Sequence, residues 1–318
     1  MRDHPHFTAY IALICVCFFW GTTYLGIRVA LESFSPALLV CLRNLISGVI
    51  TLSVAAMMGA TFPRGRDLWM TALYGLMIIG MGNGTLAVAE QWIPSGLASL
   101  FVTTSPFWFV GIDSLLPGGE RLHAPTIRGL LLGFCGVLIL IAPAAWTAVT
   151  QRSFATGGAI VLAFLLLQVS GASWAFGSLL QRNRRSRAHP FVIGGVQQLS
   201  TGLTFLIPGF FGIPSAHWTT RGMAAIVYLA VFGGIVGYSC YALALSRLPP
   251  AVVSTYTYIN PVVAVFLGWW MYREQFGLRE AGAMGVIFAG VAMVRRASMG
   301  ASMPVKKLGA DSPAEGSQ

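Results

Sequence analysis

The sequence predicts an all-α, polytopic membrane protein with ten transmembrane helices arranged as two inverted five-helix repeats. Three observations carry this expectation. The 318 residues are 56% hydrophobic and only 9% charged, with a mean hydropathy of +0.72. A soluble domain is roughly a quarter charged, so this chain has too few polar groups to solvate a surface and needs lipid around it. Ten apolar stretches of about 20 residues, the length that crosses a bilayer, take up most of the chain. Sequence landmarks then recur at a nearly constant separation.

The spans fall near 9–28, 35–57, 69–89, 96–116 and 126–143, then near 158–180, 191–211, 222–245, 252–271 and 278–295. The first apolar run, Tyr10 to Leu25, has no small-x-small cleavage site and reads as an uncleaved span. Residues 1–145 make the first unit and 155–297 the second. Residues 298–318 are a Ser/Pro/Gly/Ala-rich tail predicted to be disordered. With the N-terminus inside, 14 of the 20 Lys and Arg residues lie on the inner side and 5 on the outer, with Arg43 within a span. This bias predicts a multi-pass protein of the plasma (inner) membrane with both termini cytoplasmic.

The repeat has an offset of 154 at Trp20/Trp174, Pro36/Pro190, Arg43/Gln197, Gly48/Gly202 and Gly136/Gly290. It has an offset of 155 at Gly82/Gly237, Pro94/Pro249, Ser99/Ser254 and Pro106/Pro261, and Glu120 answers Glu274 with one residue of slippage. Five spans per unit is an odd number, so the second unit must enter the membrane upside down. Inverted repeats let a carrier present one site to alternate sides, so the repeat argues for transport.

Other function classes find little support. Four of the arginines behind the net charge of +10 sit in the RNRRSR loop from Arg182 to Arg187, an ordinary topology determinant, and no nucleic-acid partner is predicted. Cys15, Cys17, Cys41, Cys135 and Cys240 all fall in spans and read as packing residues, so no metal and no cofactor are expected. The five histidines lie in loops or the N-terminal tail, which removes a buried Ser–His dyad. No enzyme activity is expected. No ring of pore-lining charges suggests a channel.

Polar groups inside the spans are the candidate site. Arg43 is the one charge well inside a span, either a functional cation or a snorkelling or structural one. Glu90, at similar depth near the end of span 3, is a candidate coupling residue or a structural brace, and a direct or water-bridged contact with Arg43 is one expectation. Asn83 lies two turns deeper on the same face as Glu90. Trp20, Tyr24, Trp174, Gln197, Tyr256 and Asn260 cluster at mid-membrane and suit a pocket for a small, partly apolar solute, although each alone could simply pack. Pro106 and Pro261 predict helix kinks beside the pathway. Trp269, Trp270 and Tyr272 read as an interfacial belt.

WGTTYLGIRVAL, SPALLVCLRN and GNGTLAVAEQWIPSGLASL, followed by SP and GERL, resemble the EamA family of the drug/metabolite transporter superfamily, and its YedA-like members most closely. The second half repeats the resemblance with SWAFGS, LSRLPPAVVSTYTYINPVVAVFLG and REQ. The resemblance implies ten spans in inverted repeats, cytoplasmic termini and a central cavity for export of amino acids, metabolites or drugs. It carries over onto Trp20, Arg43, Glu90, Pro106, Glu120, Trp174, Asn260, Pro261 and Glu274. Gln197, standing where the first unit has Arg43, departs from exact repetition. The expected partners are a small-molecule substrate and the lipid bilayer, with the oligomeric state open. Alternating-access export, possible proton coupling, facilitative exchange and a non-transport receptor or scaffold all remain open at this stage.

Overall fold

The structure is a computed structural model and describes residues 7–117, 123–150, 157–184, 188–248, 253 and 256–301. Glu120, Pro249, Ser254 and the tail from residue 302 lie outside the described residues. All regular elements among the described residues are helical. The first helices are α1 (Phe7–Leu31), α2 (Pro36–Met57), α3 (Arg66–Gly75) and α4 (Gly82–Ala89), then α5 (Ser95–Val102), α6 (Ser105–Leu115) and α7 (Ala124–Thr150). The second half has α8 (Ala159–Asn183), α9 (Pro190–Thr204), α10 (Leu206–Phe210), α11 (Thr220–Tyr228) and α12 (Gly237–Arg247), then α13 (Tyr256–Tyr272) and α14 (Leu278–Ala301).

Seven helical runs among the described residues are long and apolar enough to cross a membrane. They are Phe7–Leu31, Pro36–Met57, Arg66–Ala89, Ser95–Leu115, Ala124–Pro143, Ala159–Arg182 and Thr220–Tyr241. The chain is therefore a multi-pass membrane protein. The stretches expected near 191–211, 252–271 and 278–295 are also helical. The first bends at Phe205, the second is described from Tyr256, and the third continues to Ala301.

Helix starts follow local chemistry. Ser35 Oγ accepts from Leu38 N at 3.3 Å, and Pro36 opens α2 where its missing N–H costs nothing. Thr219 Oγ1 accepts from Gly222 N at 3.0 Å at the start of α11.

Three further spans differ from the plain helices that the sequence predicts. The third and eighth each widen into a π segment, at Leu76–Met81 and Leu229–Val236. A π turn misaligns backbone carbonyls, and neighbouring side chains supply donors to them. Ser173 Oγ donates to Met77 O at 2.8 Å and Ser170 Oγ to Gly82 O at 2.9 Å. In the second segment Trp20 Nε1 donates to Gly233 O at 3.2 Å. The fourth span breaks at Thr103 and Thr104, so Pro106 opens α6 rather than kinking a continuous helix. Pro261 does lie inside a helix, α13.

The bundle packs by close helix crossings. α2 crosses α9, and α7 packs along α14. α1 lies against α11, α12 and α13, whereas α8 lies against α4, α5 and α6. Small residues set the spacing. At the α2–α9 crossing, Gly48 lies on the Leu199 backbone and Gly202 on Leu45. At the α7–α14 crossing, Gly290 meets Gly129 and Gly133.

The polarity of this packing suits lipid. Ile14, Phe18, Met57, Leu131, Ile207, Phe211 and Trp270 point outward, while Arg43, Asn44, Ser47, Gln198 and Thr201 are buried.

A side chain at Gly48 must displace the α9 backbone, since an added Cβ would lie 2.8 Å from Leu199 Cα. Gly48→Ala is expected to cost about 1–3 kcal/mol through overpacking, and to lower the melting temperature of the detergent-purified protein by several degrees. Gly285→Ala, with open space around its Cα, should leave that temperature unchanged.

Candidate functional site

The helix distortions surround a cavity of about 420 Å³. The end of the bundle that carries Phe7 is here the near end, and the other is the far end. Lining residues reach Phe109, Val110, Val291 and Val294 toward the near end, and stop at Tyr24, Leu86 and Ser99 toward the far end. α6, which lines part of the cavity, has no fully buried residue. Beyond Tyr24 and Leu86, by contrast, Glu90, Ile93 and Ser95 are buried.

Trp20 is the hub of the cavity wall. Its ring centroid lies 5.0 Å from that of Tyr256, 5.2 Å from Tyr241, 5.5 Å from Tyr238 and 6.3 Å from Trp174. Its indole N–H is held by Gly233, so the ring offers its faces rather than a donor. Two glycines make room for the paired tryptophans. A Cβ on Gly237 would strike the Trp20 indole, and one on Gly82 would lie 3.0 Å from the Trp174 ring. Each of these glycines directly follows a π segment.

Arg43 lines the cavity, and the residue is 5% exposed. Its Nη1 is buried and has no hydrogen-bond partner. The Tyr238 hydroxyl is likewise buried without a partner. The Asn260 carboxamide satisfies its surroundings with its nitrogen facing the Tyr256 and Cys17 carbonyl oxygens, at 3.1 and 3.0 Å. It thereby ties α13 to α1 directly before Pro261.

The structure brings together Trp20, Tyr24, Arg43, Asn83, Trp174, Tyr256 and Asn260, with Pro106 and Pro261 on the same wall. It does not place Gln197 there. Gln197 is buried away from the cavity, where its Nε2 donates to Gln181 Oε1 at 2.6 Å. Glu90 also lies outside the lining, 2% exposed, with neither carboxylate oxygen hydrogen-bonded. No hydrogen bond or ion pair joins it to Arg43, so the expected direct contact is absent. The sequence reading missed Tyr238 and Tyr241. Their i, i+3 spacing after Gly237 puts them on one face, but nothing local shows that this face meets Trp20.

The far end is held shut by polar contacts. Glu274 Oε1 accepts from Ser95 N and Ser95 Oγ, both at 3.0 Å, and Oε2 accepts from Gly96 N at 3.1 Å. The carboxylate thus sits on the N-terminus of α5, where unpaired N–H groups and the helix dipole favour an anion. Arg273 is turned to φ 54° just before it, a conformation costly for a residue with a Cβ. Arg28 Nη1 donates to Ile93 O at 3.1 Å and its guanidinium lies 5.7 Å from the Tyr272 ring centroid. The Tyr272 hydroxyl donates to Glu32, and Arg221 Nη2 donates to Tyr272 Oη at 3.1 Å. Tyr272, expected in an interfacial belt, therefore joins these polar contacts, whereas Trp269 and Trp270 remain exposed.

The EamA-like transporter family matches the chain twice, over residues 7–142 and 161–296. The chain belongs to this family. The inner membrane transporter YedA of Escherichia coli K12 is 31% identical over 297 residues, covering 92% of each chain. A probable terminal-alkyne amino-acid exporter of Streptantibioticus cattleyicolor is 26% identical, covering 91% of this chain and 94% of its own. A solved crystal structure shares the fold with a TM-score of 0.66 at 19% identity, covering 93% of this chain and 99% of its own. As a member of a transporter family, this EamA-like chain has a small-molecule substrate and a membrane setting.

If the cavity is the working site, Gly237→Val should cut solute flux in proteoliposomes at least tenfold by pushing Trp20 off Gly233. The same change should leave the helical circular-dichroism signal intact.

Proposed function

We propose that this protein exports small organic solutes across the inner membrane by alternating access. On this reading, ten spans form two inverted five-helix units and both termini are cytoplasmic. The observation that carries the reading is the asymmetry of the cavity, which extends toward the near end and is closed at the far end by Glu274 on α5. A cytoplasm-facing carrier at rest has this arrangement. Paired features support inversion: two family matches, π segments in the third and eighth spans, and two tryptophan–glycine contacts whose residues recur at offsets of 154 and 155. The self-paired crossings of α2 with α9 and α7 with α14 are what a pseudo-two-fold axis in the membrane plane produces. The exporter relative is in keeping with outward flux.

Coupling is assigned to Glu90. An unpartnered carboxylate is costly in a buried site unless it is protonated. Tyr24 and Arg28 of α1, Arg43 of α2 and Glu274 after α13 act on it electrostatically. Movement of Arg28 and Glu274 when the far end opens would change the charge around Glu90, linking proton release to opening.

Cysteine accessibility tests the first part. In a background without the native cysteines, Phe109→Cys should react with a membrane-impermeant maleimide from the cytoplasmic side and Ile93→Cys should not. Adding Glu274→Gln should raise labelling of Ile93→Cys from the outer side several-fold. Equal labelling of both positions from one side would sink the closed-end assignment. For coupling, Glu90→Gln should retain solute exchange but lose acceleration by an imposed pH gradient. A wild-type protein indifferent to that gradient would leave facilitative exchange as the mechanism.

A further inference from the structure

We propose that the cavity selects organic anions, with a solute carboxylate on the Arg43 guanidinium and an apolar or aromatic body against the Trp20 ring cluster. This deepens the carrier reading and rests on it only for what happens after binding.

Arg43 is the sole charged side chain among the described residues lining the cavity. A guanidinium removed from water is costly unless an anion or several acceptors take its N–H groups. Among the described residues no carboxylate meets this need: Nη1 has no partner, and Arg43 forms no ion pair. The nearby acid, Glu90, makes no hydrogen bond to it and stands outside the cavity. The missing partner is therefore most economically supplied by the solute. A planar, two-pronged guanidinium suits a carboxylate in particular.

The surroundings agree. Tyr238 offers a second unpartnered polar group, its buried hydroxyl, within electrostatic reach of Arg43. Gly233 leaves space at the guanidinium, since a Cβ there would lie 3.3 Å from Nη2. Trp20, Trp174, Tyr241 and Tyr256 provide flat apolar walls. The volume of about 420 Å³ lies within the usual range for small-molecule sites. No Asp or Glu lines the described cavity to receive a cation, so a cationic amphiphile would meet repulsion from Arg43 with no carboxylate to offset it. A carboxylate can come from a soluble solute or from a fatty acid entering from the bilayer, and the test separates the two.

The experiment is a tryptophan-fluorescence titration of the purified full chain in non-ionic detergent with four probes. They are 3-phenylpropionate, its amide, 3-phenylpropylammonium and dodecanoate. The expected result is that 3-phenylpropionate binds at least tenfold tighter than the amide or the ammonium. Arg43→Met should erase that preference, Arg43→Lys should keep part of it, and Tyr238→Phe should weaken it several-fold. Equal or tighter binding of the amide or the ammonium overturns the proposal, as does binding of no probe at millimolar concentration, whereas binding of dodecanoate alone, lost in Arg43→Met, supports the anion site with a fatty acid as the source of the carboxylate. The wild-type panel decides even if Arg43→Met fails to fold. Anion binding without flux in proteoliposomes would sink the carrier reading and leave the anion site. Flux of the ammonium, unaffected at Arg43, would do the reverse.

Discussion

Two membrane helices widen into π turns, at Leu76–Met81 and Leu229–Val236, and hydrocarbon offers no water to the carbonyls that such turns misdirect. The donors have to come from within the bundle. Ser170 and Ser173 on α8 serve the first turn, and the Trp20 indole on α1 serves the second. Satisfying the backbone in this way pins α8 and α1 against the distorted helices and places Trp174 and Trp20 beside the glycines that follow them. The same constraint that protects the backbone thus shapes the cavity wall. A regular helix at either position would remove the reason for the serines and the room for the rings.

The charged groups divide into two populations with opposite consequences. At the far end, Glu274, Glu32, Arg28 and Arg221 have partners, so their interactions favour closure. Within the membrane, Arg43 and Glu90 are buried with unpartnered polar atoms. The paired groups stabilise the conformation seen here, and on the proposed carrier reading the unpaired ones await a solute in one case and a proton in the other. A carrier needs both, because a bundle whose every buried charge was already satisfied would gain little from binding its cargo.

Family membership fits this division without deciding its details. The two family matches cover both halves of the chain, and the relatives share its length rather than one segment of it. The difference between the two halves is read at single positions. Arg43 in the first half is answered by Gln197 in the second. The structure places the arginine on the cavity and buries the glutamine against Gln181. The chain thus matches the family in both halves, and an asymmetric pair of side chains leaves the cavity its one charged lining residue among those described.

Composition and span length alone determined that this is a helical membrane protein, because a chain that is 9% charged cannot solvate a surface. Most of the polar candidates were also legible, since Trp20, Arg43, Asn83, Trp174 and Asn260 stand out in apolar runs at similar depth. Helical periodicity places a side chain on a face but does not say which helix that face meets. For that reason Tyr238 and Tyr241 went unseen and Gln197 was wrongly grouped with the cavity. The π turns were hidden for a related reason: LMIIGM and LAVFGGIV satisfy an ordinary helix locally, and the distortion is supported by Ser170, Ser173 and Trp20 from elsewhere in the chain. Glu274 was noticeable only as a repeated acid. Its seat on the N-terminus of α5 depends on a turn at Arg273 and on packing between residues almost 180 positions apart, which only the tertiary structure decides.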